Sequence, residues 1–122
     1  MGRVCARASR ALPRGLLIRA WRFTEVVERQ LMLFATDYAS LLERIAEARE
    51  AYTRAPRTEA EYRFAEYQAW VADGTTALAD LRDGYASTLD DDAAEEYEAV
   101  FNRAVLRRFG DLALEIESED DD

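Results

Sequence analysis

The sequence predicts an all-α fold in which three long, coiled-coil-like helices pack as an antiparallel up-down-up bundle. Apolar residues recur at alternating steps of three and four along three segments, which is typical of helices that present one apolar stripe. The chain holds only two prolines and five glycines in 122 residues, and β-branched runs with a period of two are missing. The connections are short, so consecutive helices are expected to be antiparallel neighbours. The predicted helices span about 19–54, 58–88 and 91–116, within a bundle covering 19–117.

The first predicted helix organises the rest of the chain. Its seam keeps the heptad pattern without a charged residue. The seam residues are Val27, Leu31, Phe34, Tyr38, Leu41, Ile45, Ala48 and Tyr52. Pro13 and Gly15 disfavour an earlier start, and Pro56 disfavours helical backbone at the residue before it. This helix is therefore expected to begin between residues 16 and 24 and to end near Arg54.

One turn of the first helix is apolar on all sides. Residues 31–35 are five consecutive apolar residues, more than a full turn. Such a turn is either wrapped by neighbours within the fold or in contact with another subunit. An aromatic residue that flanks the seam of the second helix is a further contact candidate, with the edge of the core as the alternative. The candidate protein-contact surface consists of Leu31, Met32, Leu33, Phe34 and Trp70.

The second predicted helix opens with a capping box, in which the Thr58 hydroxyl and the Glu61 side chain would satisfy amides of the first turn. Its seam contains Phe64, Tyr67, Val71, Gly74, Leu78, Leu81 and Tyr85. A turn at Gly74 is one possibility, but the heptad keeps its phase there, which favours a continuous helix. Gly74 and a row of small residues would let a neighbouring helix approach closely. That row consists of Ala65, Ala72, Ala79 and Ala86.

The third predicted helix has acidic residues at its start and arginines near its end, as the helix dipole favours. Asp90 or Asp91 is expected to cap it. Gly110 is a possible stop, but apolar residues such as Leu112 and Ile116 lie beyond it. The helix is therefore expected to resume or kink at Gly110.

The composition excludes several chemistries. The chain has no histidine, which removes the commonest general base and metal ligand. Its single cysteine, Cys5, allows neither an intramolecular disulfide nor a zinc site with several thiolates, and a reducing cytoplasm is the simplest location. All 16 basic residues are arginines against 25 acids, a net charge of −9. This balance indicates a GC-rich genome and favours adaptation to high salt, with GC pressure alone as the alternative.

The charge is divided unevenly along the chain. Residues 1–22 carry six arginines and no acid, whereas the remainder carries a net charge of −15. Residues 1–18 are predicted to be a flexible basic arm, and residues 118–122 an acidic tail. The arm is not expected to be a secretory signal, since its apolar run is cut short by Arg19. No apolar window approaches the length of a membrane span. The arm could bind nucleic acid, be a solvated tail, or result from an upstream start codon.

Carboxylate pairs three residues apart are the one pattern that suggests catalysis. The pairs are Glu25/Glu28, Glu47/Glu50, Asp80/Asp83 and Glu95/Glu98. All-α nucleotide pyrophosphohydrolases hold magnesium with pairs of this kind, but 25 acids in 122 residues produce such spacings by chance. No lysine and no glycine-rich loop is present to bind phosphates. We therefore predict no catalytic residue, cofactor or metal.

The expected function is that of a small, acidic, non-enzymatic helical-bundle protein that works through protein–protein contact in a salt-adapted cytoplasm. Its partner would be a second copy or another helical protein, and no membrane is involved. The first alternative is a nucleic-acid-associated protein that uses the arginine-rich arm, although the acidic body opposes binding to phosphates. The second alternative is a magnesium-dependent enzyme of the pyrophosphohydrolase kind.

Overall fold

The computed structural model describes residues 14–113, with side chains from Phe23 onward. Within this range the protein is all-α, as predicted, and contains no strand. The helices are α1 (Arg14–Asp37), α2 (Ala39–Arg54), α3 (Arg57–Ala86) and α4 (Asp91–Arg108), and a 3₁₀ turn (Gly110–Leu112) follows. None of these described helices combines the length and the hydropathy that crossing a bilayer would require.

The first predicted helix is two helices, so the prediction of one helix over 19–54 is wrong at Tyr38. Tyr38 leaves the helical region, with φ −112° and ψ 29°. Its N–H still donates to the Phe34 carbonyl at 2.8 Å, and its own carbonyl accepts from the Leu42 N–H at 2.9 Å. Just before the break, the Thr36 hydroxyl donates to the Met32 carbonyl, a bond that bends helices. Because most of the backbone ladder survives, the heptad pattern passes through the break unchanged.

Helix α1 begins at Arg14, five residues before the predicted start and inside the arm that we expected to be flexible. A glycine in a helix costs about 1 kcal/mol relative to alanine, so Gly15 is a modest obstacle that a 24-residue helix tolerates. The rest of the predicted arm, residues 1–13, and the acidic tail, residues 118–122, lie outside the described residues.

Helix α3 runs without interruption through Gly74, as predicted. The capping box is wrong, because the helix starts at Arg57 with Pro56 at its N-cap and no side chain caps it. Gly74 is buried where two elements approach closely. A Cβ added there would lie 2.9 Å from Leu112 Cδ2 and 3.3 Å from Ile45 Cδ1. The row of alanines contributes less than expected, since Ala65 and Ala72 are exposed and only the last member is buried.

Helix α4 is capped by Asp90, as predicted, whose Oδ1 accepts from the Ala93 N–H at 2.8 Å. It ends at Arg108, eight residues before the predicted end at 116. Phe109 has φ −132°, and the following 3₁₀ turn directs Leu112 into the core. Residues 114–116 of the predicted helix lie outside the described residues.

The helices associate as two closely packed pairs. In the first pair, Phe23 packs against Tyr97 and Phe34 against Phe109, so α1 and α4 run in the same direction. In the second pair, α2 and α3 run in opposite directions. Tyr52 near the end of α2 packs against Phe64 near the start of α3, while Ile45 lies against Gly74.

The second half of α3 joins the two pairs, since it runs antiparallel to α4. Tyr85 packs against Tyr97 with ring centroids 4.7 Å apart. About one turn away from this ring contact on each helix, Arg82 Nη1 of α3 donates to Oδ1 of the buried Asn102 of α4 at 2.9 Å. This polar contact satisfies an amide oxygen that burial would otherwise leave without water.

The core is concentrated between α1 and α4. Eight of its twelve buried apolar residues are Phe23, Val27, Leu31, Phe34, Tyr97, Phe101, Ala104 and Val105. The other four are Ile45, Leu78, Ala86 and Leu112. Tyr97 lies at its centre, fully buried, and its hydroxyl donates to Gln30 Oε1 at 2.8 Å. Burial raises the pKa of the Tyr97 hydroxyl above its ordinary value of 10.0, because the charged form would lose its hydration.

Candidate interaction surface

The structure divides the predicted contact turn of residues 31–35 between the core and the solvent. Leu31 and Phe34 are buried, at 0% and 3% exposure, so within this chain they belong to the core and not to the surface. Met32 and Leu33 are exposed by 59% and 57%. A helix that is apolar all round must expose some of its side chains when its partner, here α4, covers only one side.

Trp70, the remaining predicted contact residue, lies on the other helix pair. It is half-buried on α3, and the guanidinium carbon of Arg44 on α2 lies 5.5 Å from the centroid of its ring. This cation–π contact covers part of the indole and leaves the rest accessible. Trp70 is therefore part of the α2–α3 face, separate from the α1 turn with which the sequence grouped it.

The α2–α3 pair continues past the fully buried core as a two-helix hairpin, with Tyr67, Trp70 and Val71 packed against the edge of that core. Residues 46–73, all of them described, include no buried residue. The same residues nevertheless carry five aromatic side chains. Tyr62, Tyr52 and Phe64 are exposed by 62%, 39% and 38%, while Tyr67 and Trp70 are half-buried. Aromatic side chains are enriched at protein–protein contacts, so a solvated helix pair with this composition is a candidate interaction surface.

Three of these aromatics form a cluster near the tip of the hairpin. The ring centroid of Tyr52 lies 5.0 Å from that of Phe64 and 6.4 Å from that of Tyr67, whose ring is nearly parallel to it. Phe64 and Tyr67 are 6.2 Å apart. The cluster holds α2 and α3 together, and Tyr67 also packs against the edge of the core. Tyr52 and Phe64 remain in contact with solvent.

A shallow cleft of about 450 Å³ runs along α3 from Phe64 to Thr76. Its lining includes Tyr67 and Val71 of α3 and Asp111 of the 3₁₀ turn. Burial and the neighbouring Asp111 carboxylate both raise the pKa of the Tyr67 hydroxyl. The cleft exists because α4 stops at Arg108 while α3 continues. It lies along the part of α3 that α4 does not cover.

The junction between the hairpin and the core is polar at its edge. Arg49 of α2 lies 3.5 Å from the Asp111 carboxylate, and both side chains are partly exposed. A second cleft of about 370 Å³ opens here, with Ile45, Phe109 and Leu112 among its lining residues. The ion pair therefore ties the hairpin to the 3₁₀ turn beside a cleft that is lined by both apolar and charged side chains.

In three of the four carboxylate pairs, one member contacts an arginine. Glu28 pairs with Arg108 at 3.0 Å and Arg107 at 3.8 Å, which links α1 to α4. Glu50 pairs with Arg54, and Asp83 with Arg82. Within the described part of the chain, no three or more Asp, Glu, Cys or His side chains cluster closely enough to hold a metal ion.

Comparisons with known proteins give no relative: no family model, no curated protein and no solved structure matches this chain.

The heptad spacing places Tyr52, Phe64 and Tyr67 on seams, which predicts that they are buried. Their positions on the helices are as expected, since they face the partner helix of the hairpin. Tyr67 is half-buried and packs against the core, as its seam position predicts. The exposure of Tyr52 and Phe64 was missed because burial depends on whether a third helix reaches them. Gly110 was the residue in the sequence that could have predicted this exposure. A last helix that ends at Gly110 is too short to cover the hairpin.

Proposed function

We propose that this protein is a small, acidic, non-enzymatic interaction protein that binds a helical partner through its α2–α3 hairpin. The observation that carries the proposal is that residues 46–73 expose Tyr52, Tyr62 and Phe64 without burying any residue. Most helical stability in proteins comes from the packing of an apolar face against neighbouring elements. The part of a helix pair that buries none of its residues gains little of this stability within the monomer, and a partner that packs on it would add to it. A third helix placed in the α3 cleft would bury the faces that α4 leaves uncovered.

The same proposal includes the arrangement of the helices. In it, α1 and α2 share the first arm of an up-down-up bundle, α3 forms the return arm and α4 a shortened third arm. The parallel packing of α1 with α4 and the antiparallel packing of α3 with α2 and α4 support this order. The shortened arm is what makes the far end of α3 available to a partner.

The proposed setting is a salt-adapted cytoplasm. The described surface carries exposed carboxylates on every helix, and the chain as a whole has a net charge of −9. Concentrated salt screens the repulsion between such chains, with a screening length of about 3 Å at 1 M. An apolar and aromatic contact surface keeps its strength under those conditions, since hydrophobic association does not depend on unscreened charge.

The test is a comparison of purification baits in the native cells at high salt. Tagged wild-type protein and a tagged Val71→Arg variant would be isolated in parallel, and the bound proteins identified by mass spectrometry. We expect a helical protein, or an untagged copy of the chain, to bind the wild type and not the variant. An identical set of bound proteins for both baits, with the variant folded by circular dichroism, would overturn the proposal. The matched control is Met32→Arg, which places the same charge on exposed α1 surface.

A further inference from the structure

We infer that residues 114–117 of this chain lie along the α3 cleft when no partner occupies it, with Leu114 and Ile116 packed on the cleft lining. These residues follow directly on Ala113, the last described residue. A helical partner would have to displace them, and in that respect the inference rests on the proposed function. Residues 114–117 would then regulate access to the interaction surface.

The described chain ends beside the cleft. Asp111 is part of the cleft lining, and its carboxylate lies next to the Tyr67 hydroxyl. Leu112 packs on Gly74 so closely that a Cβ added to the glycine would lie 2.9 Å from Leu112 Cδ2. Ala113 then has φ −50° and ψ 128°, which is extended backbone near the polyproline II region. The chain therefore leaves the 3₁₀ turn next to the cleft and without a helical turn.

The antiparallel packing on α3 gives the direction of the next residues. Successive contacts of the later part of the chain move back along α3. They pair Tyr97 with Tyr85, Asn102 with Arg82, and Leu112 with Gly74. Because each step forward in the chain is a step back along α3, the residues after Leu112 come next to the part of α3 before Gly74. That part contains most of the cleft, which runs from Phe64 to Thr76.

The length of the segment matches the length of the cleft. Extended backbone rises about 3.3 Å per residue, so Leu114 and Ile116 lie about 7 Å and about 13 Å beyond the 3₁₀ turn. A helix rises about 1.5 Å per residue, so these distances correspond to about four and nine residues before Gly74. The two side chains then lie close to Val71 and Phe64, both of which line the cleft.

The chemistry of the segment also fits the lining. The seven lining residues that α3 contributes are all uncharged: Phe64, Tyr67, Gln68, Val71, Ala72, Thr75 and Thr76. Side chains alternate in extended backbone, so Leu114 and Ile116 share one side, whereas Glu115 and Glu117 share the other. The apolar side would contact the cleft while both carboxylates keep their hydration, which avoids the cost of burying a charge.

A nitroxide spin label at residue 118 of the full chain tests the contact. Cys5→Ser removes the single cysteine of the chain, and Ser118→Cys provides the attachment point. The label broadens the NMR signals of nearby nuclei, and we expect it to broaden those of residues 64–71. Adding Leu114→Ser and Ile116→Ser should lower the ratio of docked to undocked segment by at least about tenfold, because two partly buried apolar side chains are lost. The broadening should weaken accordingly.

The matched control places the same number of substitutions on the opposite side of the segment. Glu115→Ser with Glu117→Ser should keep the broadening of residues 64–71, since these carboxylates do not face the cleft. An undocked segment would give the same signal whatever its composition. Equal broadening in the parent and in both double variants, or no broadening of residues 64–71 in any of them, would overturn the inference.

Salt should strengthen the contact. Residues 114–122 carry six carboxylates, and residues 23–113 carry a net charge of −9. Screening reduces this repulsion whereas the apolar contact persists, so the broadening of residues 64–71 should increase between about 0.1 M and about 1 M potassium chloride. A contact that salt weakens would be carried by ion pairs instead of Leu114 and Ile116, and would overturn the inference.

The purification baits separate this inference from the proposed function. A bait with Leu114→Ser and Ile116→Ser should bind several-fold more of the helical partner than the wild type, because the segment no longer competes for the cleft. If it binds the same amount of a protein that Val71→Arg loses, the proposed function stands and regulation by the segment is wrong. If Val71→Arg and the wild type bind the same proteins, the proposed function fails, and the spin-label comparison alone decides whether the segment lies in the cleft.

Discussion

The two helix pairs of this protein carry the same kind of apolar seam but bury it to very different extents. Between α1 and α4 the seam residues are almost completely buried, with Val27, Leu31, Tyr97 and Phe101 at 0% exposure. In the outer part of the α2–α3 hairpin, Tyr52 and Phe64 lie on an equally regular seam but are exposed by 39% and 38%. The difference lies in the number of neighbouring helices and not in the local pattern.

This comparison teaches that a seam specifies the orientation of a helix face, whereas burial requires neighbours on more than one side. The α1–α4 pair receives the second half of α3 as a third layer, through Tyr85 and Leu78. Beyond Gly74, where Leu112 crosses α3, the outer hairpin contacts the 3₁₀ turn through Asp111, which lies beside Tyr67 and Arg49. Helix α4 has already ended there, and no residue of 46–73 is buried. The protein thus combines a packed end with an end that has an unfilled apolar face.

The largest predicted effect tests the comparison with one substitution in each region. Phe101→Ala should lower the free energy of unfolding by about 3–5 kcal/mol, because it removes a fully buried ring and leaves a cavity. Phe64→Ala should cost only about 1 kcal/mol in the monomer, since 38% of that residue is already exposed. Urea unfolding followed by circular dichroism at low protein concentration measures both. Equal losses would mean that the hairpin face is as well packed as the core.

The pH dependence of stability sharpens the description of the packed end. Burial raises the pKa of Tyr97 above 10.0, so the unfolded chain releases this proton at a lower pH than the folded chain. Stability from this residue is complete below pH 10 and declines above it, by up to about 1.4 kcal/mol per pH unit for one proton.

Tyr97→Phe is the variant that isolates this effect. It should lower stability by about 1 kcal/mol at neutral pH, through loss of the hydrogen bond to Gln30, and should reduce the decline above pH 10. Denaturant unfolding of both proteins at a series of pH values provides the measurement. A decline equally steep in the variant would assign the pH dependence to other groups.

Two glycines of α3 test the boundary between the packed end and the hairpin. A Cβ at Gly84 would meet nothing within 4 Å, so Gly84→Ala should stabilise the protein by about 0.5–1 kcal/mol through helix propensity alone. At Gly74 the same change would press against Leu112 and Ile45, and it should destabilise by about 1 kcal/mol despite that propensity. Thermal unfolding of the two variants compares them directly. Stabilisation by both would show that the 3₁₀ turn moves away without loss.

The smallest expected effect concerns the ion pair at the junction. Arg49→Gln removes the contact with Asp111, and because the pair is largely solvated it should cost about 0.2–1 kcal/mol at low salt. At about 1 M salt the cost should approach zero. Urea unfolding of the wild type and the variant at both salt concentrations measures this difference in the free energy of unfolding. A difference that persists at high salt would show that the pair is less solvated than its exposure indicates.

Several features of the fold follow from local sequence alone. The three-and-four spacing of apolar residues determined that the chain is helical, because it places one continuous stripe on each helix. Asp90 determined the start of α4, since a short acceptor side chain at that position satisfies a free amide of the first turn. The unchanged heptad phase was enough to predict that α3 continues through Gly74.

Other features were decided only by the tertiary structure. Tyr38 interrupts the first arm although the heptad continues through it, because α1 packs on α4 whereas α2 packs on α3. The consecutive apolar residues Leu31 and Met32 differ completely in burial, since α4 covers one side of the helix only. The exposure of Phe64 results from where a different helix ends. Sequence periodicity records which residues share a face, and the lengths and crossings of distant helices determine whether that face is covered.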